Sequence, residues 1–274
     1  MSIGTIGADL LSARWVIQIL VTLTIPIFLL GHRLPHREDS LVREVVAIAA
    51  LSTVTVYPVA AGYITGLDAV QSFLVFSLLL GVYALLLLWV FDASLWQTLF
   101  CATAGYTLQN LASGSEVLVS ILVSHRASGL LAEPWNNILG FGIPLVVYAF
   151  GYLVFIRQID RRGLALAEDK SMLAMFIVVV FVIIGFDIVI KTLVWGGIRF
   201  SSLVLIRLVH SLICAFVLFA EYEILYARRM SDEKAETERV LAERERQYRL
   251  SRENIEAINI KCHDIRPVSY THLT

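Results

Sequence analysis

Residues 203–250 read LVLIRLVHSLICAFVLFAEYEILYARRMSDEKAETERVLAERERQYRL, and two different environments meet within them. The part up to about residue 225 is apolar enough to lie in lipid, whereas the part after it is a run of charges. No Gly or Pro occurs from Glu221 to Arg266, and these are the two residues that most disfavour a helix interior. One long helix is therefore predicted to leave an apolar domain, residues 1–226, and continue as a charged helix, residues 227–266.

The composition of the whole chain is typical of a membrane protein. Of its 274 residues, 58 % are hydrophobic and 16 % are charged, whereas a soluble domain carries about 25 % charged residues. The net charge of -1 provides no basic surface, so nucleic acid is excluded as a partner. The three cysteines form no CxxC or Cys/His spacing, and no metal site is predicted.

Seven apolar stretches are long enough to cross a hydrocarbon core, which needs roughly 20 residues of helix. The predicted fold is thus all-α: a bundle of about seven transmembrane helices followed by a cytoplasmic coiled-coil helix. The first stretch has no small-residue cleavage site and is interpreted as a retained helix. The seven stretches are Leu10–Leu30, Val45–Ile64, Val70–Phe91, Leu95–Val123, Ile138–Ile156, Met172–Trp195 and Leu203–Leu225.

Basic residues in the loops predict the orientation, because Lys and Arg are enriched on the cytoplasmic side. They cluster after the first, fifth and seventh stretches, while the other side has only three arginines. The N-terminus is therefore predicted outside and the charged tail inside, in a bacterial cell membrane. The inner residues are Arg33, Arg37, Arg43, Arg157, Arg161, Arg162, Lys170 and those of the tail; the outer ones are Arg14, Arg126 and Arg199.

Ionisable side chains inside the predicted spans are candidates for function, because they are costly in lipid. Asp187 and Lys191 are four residues apart, which is the spacing of an ion pair on one helical face. Arg207 and His210 lie one turn apart in the last span, and either is able to complete a network with Asp187 or Glu221. An ion or proton path is the alternative to structural pairing.

Amide and carboxyl groups also occur in the fourth span, at Gln109, Asn110 and Glu116. They predict either contact with a ligand or hydrogen bonds between helices. Because the outer loops are short, any small or peptide ligand is expected to meet the helices themselves.

Apolar residues recur every seven positions in the tail, at Leu241, Tyr248, Ile255 and Cys262, with a second column through Ile258. This pattern predicts a coiled-coil seam and a homodimer through residues 227–266. A solvated charged helix without a partner remains the alternative.

The tail ends in NIKCHDIR, residues 259–266. This run resembles the phosphoacceptor box of membrane sensor histidine kinases that have a GHKL-type ATP-binding domain, in particular the peptide quorum sensors. The resemblance implies that His263 accepts a phosphoryl group and that Asp264 acts as its base or orients its ring, which suits the chemistry of imidazole near pH 7. Lys261 and Arg266 add positive charge beside the phosphate.

The resemblance also implies partners. These are ATP and Mg²⁺ held by a catalytic domain, a response regulator that takes the phosphate, and a small or peptide ligand. No Asn-box or Gly-rich lid follows His263, so this chain is expected to be the sensor fragment of such a kinase and not to phosphorylate itself. Pro267 disfavours helix at Arg266, and residues 267–274, PVSYTHLT, resemble translated adapter sequence and are expected to be non-native.

Two other functions stay open. A seven-helix transporter or channel would use Asp187, Lys191, Arg207 and His210 as an ion path. A truncated receptor without kinase activity would bind a full-length kinase through its coiled coil.

Overall fold

The structure is a computed structural model. It describes residues 24–25, 29–30, 34–35, 37, 39–60, 68–124, 135–158, 171–195 and 197–271. Side chains are described in these ranges except at 40, 55–60, 136–137, 158, 171–172, 195 and 262–271.

Every regular element within these ranges is a helix. A 3-10 turn, Ile156–Gln158, follows α4, and a π-helical segment, Val179–Ile184, joins α5 to α6. The α-helices are α1 (Ser40–Ala60), α2 (Ala69–Val90), α3 (Leu95–Ser124), α4 (Trp135–Val154), α5 (Ser171–Val178), α6 (Gly185–Trp195) and α7 (Phe200–Thr271).

Local sequence explains why α3 begins at Leu95 and why the chain turns between α6 and α7. Ser94 and Gln97 form a capping box, in which each side-chain oxygen accepts a hydrogen bond from the other residue's backbone N–H, at 3.1 and 3.3 Å. Gly197 adopts a φ of 80°, a left-handed conformation that favours glycine. Its N–H donates to the carbonyl of Val194 at 3.2 Å, which ends α6 and turns the chain into α7.

Helix α3 lies at the centre of the core. Its residues from Thr98 to Leu108 are buried on every face, and it packs against α2, α4 and α5. The predicted span Leu95–Val123 is part of this single helix of 30 residues. The apolar part of α7 joins the same core through Cys214, Val217 and Leu218.

Large apolar side chains point outward from several helices, while polar ones are buried. On α7 the outward residues Leu205, Leu212 and Phe216 follow helical spacing along one face. Among the described residues, three helical stretches are long and apolar enough to cross a membrane: Ala69–Val90, Leu173–Val194 and the first part of α7. The apolar surface is that of a protein that faces lipid.

The chain divides into two compact units, Met1–Tyr226, called the membrane unit below, and Ala227–Thr274, called the tail unit. The sequence predicted that the helix of the tail unit ends before Pro267. This prediction is wrong, because the helix continues to Thr271. The fixed φ of proline is compatible with a helix. Because proline has no backbone N–H, one helical hydrogen bond, to the carbonyl of His263, is lost.

Some predictions lie outside the described residues. These are most of the first predicted span, the end of the second, the loop residues 125–134 and 159–170, and the basic residues Arg14, Arg33, Arg126, Arg161, Arg162 and Lys170.

Candidate functional site

A network of charged side chains joins α6 to α7 inside the membrane unit. Lys191 Nζ lies 2.6 Å from Asp187 Oδ2, one turn away on α6, so the predicted ion pair is confirmed. Arg207 Nη1 donates to Asp187 Oδ1 across the helix interface at 3.0 Å. Both carboxylate oxygens are therefore engaged, and the network neutralises charges that lipid disfavours.

The two cations of this network lie in different surroundings. The Arg207 side chain is 10 % exposed and that of Asp187 18 %, whereas 48 % of the Lys191 side chain is exposed. Lys191 Nζ also lies 4.8 Å from the centre of the Phe76 ring on α2, within the range of a cation–π contact. The Asp187–Arg207 pair is thus the buried part of the network.

His210 lies one turn after Arg207 on α7 and is 1 % exposed. Its ring stacks on Phe186, with ring centres 5.6 Å apart, and its Nε2 is 3.7 Å from Cys214 Sγ. The α3 backbone approaches at Gly114, where a Cβ would lie 3.7 Å from His210 Nδ1 and 3.1 Å from Ser211 Oγ. The imidazole is therefore packed between α3, α6 and α7.

The amide and carboxyl groups of α3 bond mainly within their own helix. Asn110 Nδ2 donates to the Tyr106 carbonyl at 3.0 Å and to Gln109 Oε1 at 3.2 Å. Ser120 Oγ donates to Glu116 Oε1 at 3.3 Å. These bonds satisfy polar groups along α3.

Glu221 was named in the sequence only as a possible partner of Arg207 or His210, and its burial was not predicted. It is 1 % exposed, and neither carboxylate oxygen has a hydrogen-bond partner among the described residues. It lies 14 residues from Arg207 on α7, about 21 Å along the axis, so it does not join the Asp187 network. In the sequence it looks like the start of the charged segment because Glu223 follows, but residues two apart on a helix face nearly opposite directions.

The tail unit exposes nearly all its described side chains. The heptad residues Leu241, Tyr248, Ile255 and Ile258 are each more than half exposed in this single chain. Ion pairs four residues apart, such as Arg229–Glu233 at 2.8 Å, lie along the same helix. The tail therefore presents an apolar stripe between charged faces.

The run that resembles a phosphoacceptor box, residues 259–266, lies near the end of α7. Lys261 is exposed. The backbone of His263, Asp264 and Arg266 is helical, and their side chains lie outside the described part of the chain. The box thus occupies a helix that is exposed up to residue 261.

No group of three His, Cys, Asp or Glu side chains able to hold a metal ion occurs among the described residues. Comparison of the chain with protein-family models, with characterised proteins and with solved structures found no match. The function is therefore argued from the chain's own residues.

Proposed function

We propose that the chain is the signal-sensing part of a membrane histidine kinase of a two-component system. The membrane unit senses a ligand, the tail unit dimerises through residues 227–266, and His263 accepts a phosphoryl group for transfer to a response regulator. ATP and Mg²⁺ belong to a GHKL-type catalytic domain outside these 274 residues.

The observation that carries the proposal is the length and composition of α7. One helix, Phe200–Thr271, contains an apolar segment, the buried cation Arg207, an exposed charged segment and the His263 box. A helix is stiff along its axis, so a shift of its apolar segment is able to reach the residues further along it.

The membrane arrangement belongs to the proposal. Each predicted span from the second to the seventh overlaps a described helix, which supports six of the seven proposed spans. Arg37 and Arg43 are placed on the cytoplasmic side, where Arg43 Nη1 donates to the Trp89 carbonyl at 3.1 Å and Arg37 lies 3.7 Å from Asp92. The N-terminus is then outside and the tail is in the bacterial cytoplasm.

The chemistry at the box needs a nucleophilic imidazole and a base. Neutral imidazole is a good nucleophile near pH 7, and a carboxylate beside it raises the basicity of the reacting nitrogen. Asp264 follows His263 directly and is assigned this role. Lys261 and Arg266 stabilise the charge on the phosphate.

The test is phosphate transfer in membranes from source cells that express the full chain. With ATP labelled at the γ-phosphate, the chain should acquire label that is stable to base and lost in acid, as phosphohistidine is. His263→Gln should abolish the label, and His125→Gln, the same change in the sequence between the fourth and fifth predicted spans, should retain it. An unlabelled wild-type chain, or a label that survives His263→Gln, would contradict the proposal.

The transporter alternative depends on the charged network. Because both oxygens of Asp187 are bound to Lys191 and Arg207, the geometry favours a structural role over an ion path. Proteoliposomes distinguish the two functions: ion flux that is present in the wild-type chain and lost in Asp187→Asn would support the transporter.

A further inference from the structure

Glu221 is an isolated acid in the interior of the membrane unit. Its two carboxylate oxygens are buried and accept no hydrogen bond from the described residues. The cations of the network, Lys191 and Arg207, are bound to Asp187, and Arg207 lies about 21 Å from Glu221 along α7. A buried carboxylate without a partner is costly, so an occupant that supplies positive charge would stabilise it.

A small cavity lies beside this carboxylate. It measures about 20 Å³ as the space open to the centre of a water molecule, which is room for one water or one ammonium group. Among the described residues of its lining, Glu221 is the one that is acidic or basic. The cavity is formed where α3, α4 and α7 meet.

Three aromatic residues line the same cavity: Phe100 from α3, Phe155 after α4, and Tyr222 from α7. The Phe155 and Tyr222 rings meet edge to face, with centres 6.1 Å apart. Aromatic faces attract ammonium groups through their ring quadrupole. A buried carboxylate together with aromatic rings is a combination that recognises an organic cation.

We propose that this cavity binds the ammonium group of a small primary amine, with Glu221 as its anion and the aromatic rings around it. The inference rests on the proposed function, since it gives the chemical class of ligand that the membrane unit senses. An –NH₃⁺ group has three donors for the two oxygens of Glu221. A trimethylammonium group is too wide for the space, and an alcohol lacks the charge.

The small residues of the lining set the size limit. Ala104 on α3 and Gly151 on α4 both border the cavity. A Cβ at Gly151 would lie 2.8 Å from Leu108 Cδ1, so there is little spare room on that side. Larger side chains at these positions are expected to exclude the amine.

The experiment is equilibrium dialysis of radiolabelled methylammonium against the full chain in nanodiscs, with empty nanodiscs as background. The wild-type chain should bind about one amine per chain, with a dissociation constant in the millimolar range expected of a ligand with two heavy atoms. Unlabelled methanol and tetramethylammonium should compete at least about tenfold less well than methylammonium.

Two variants and a matched control test the assignment to Glu221. Glu221→Gln should weaken binding at least about tenfold, and Glu223→Gln, which removes an equal charge from an exposed site two residues away, should not. Ala104→Val keeps the carboxylate and fills the space, and it should also weaken binding. Circular dichroism verifies that each variant is folded.

The proposal is overturned if binding to the wild-type chain does not saturate, or if Glu221→Gln and Glu223→Gln bind equally well. Neither result depends on His263. If His263 is labelled but no amine binds, the ligand assignment fails and the kinase proposal stands. If an amine binds but His263 is not labelled, the kinase proposal fails and the cavity remains a binding site.

Discussion

At the scale of single residues, the membrane unit neutralises one of its buried acids and leaves the other unpaired. Asp187 has two cations within 3.0 Å, and Glu221 has no hydrogen-bond partner among the described residues. A carboxylate that has its partners contributes to stability, whereas one that lacks them costs stability and is retained for another reason. This difference assigns a structural role to Asp187 and a binding role to Glu221.

Replacement of Asp187 by Asn should destabilise the chain more than replacement of Lys191. Asp187→Asn leaves the Arg207 charge buried and unpaired, which costs about 3–5 kcal/mol. Lys191→Met removes a half-exposed partner of the same carboxylate and should cost about 1 kcal/mol or less. Thermal unfolding in detergent measures both.

The double change Asp187→Asn with Arg207→Met completes this test. Since it removes both members of the buried pair, it should recover most of the stability lost in Asp187→Asn. If the double variant is less stable than Asp187→Asn, the pair is not the source of the effect.

Sequence spacing predicted the contacts of some buried charged residues and not those of others. Asp187 and Lys191 share one helix, so their spacing of four predicted the contact. The choice of Asp187 over Glu221 as the partner of Arg207 depends on which helices are neighbours, and a linear pattern does not contain that information. The burial of Glu221 was not predicted for the same reason, because it depends on α3 and α4.

At the scale of helices, the close approach of α3 to α7 depends on Gly114. A Cβ there would lie 3.1 Å from Ser211 Oγ, which is a tight contact. Gly114→Val should therefore separate the two helices and cost about 1–3 kcal/mol.

Gly81→Val is the matched control, because a Cβ at Gly81 meets nothing within 4 Å. It should change stability by at most about 0.5 kcal/mol. Chemical unfolding of both variants in the same detergent compares them. Equal losses would show that contact with α7 is not what restricts residue 114.

Hydropathy predicted where helices occur but not their internal irregularities. The ends of α2 and α3, the start of α5 and the end of α6 fall within two residues of the ends of the predicted spans, since apolar length determines them. The π-helical segment Val179–Ile184 has the same apolar composition as the α-helices around it. The segment packs against α2 and α3. Its π-helical geometry is not predicted by its amino-acid composition.

At the scale of the whole molecule, the exposed apolar stripe of the tail unit should be covered by a second copy. On a Cys262→Ser background, Ile258→Cys lies in the predicted seam and should crosslink between chains in membranes under mild oxidation. Glu253→Cys, on the outer face of the same heptads, should crosslink at least about fivefold less. Equal crosslinking at the two positions would indicate that the tail does not dimerise through this seam.

The central claim of the account is that one helix carries the state of the membrane unit to His263. The most direct test inserts helix-forming residues after Ala235, between the apolar segment and the heptads, and measures base-stable label on His263 in source-cell membranes. Two residues rotate the later part of the helix by about 200° relative to the apolar segment, whereas seven residues return it to within about 20° of its original direction. Labelling should change at least about fivefold with two residues and stay close to wild type with seven; equal labelling with both insertions would contradict this role of α7.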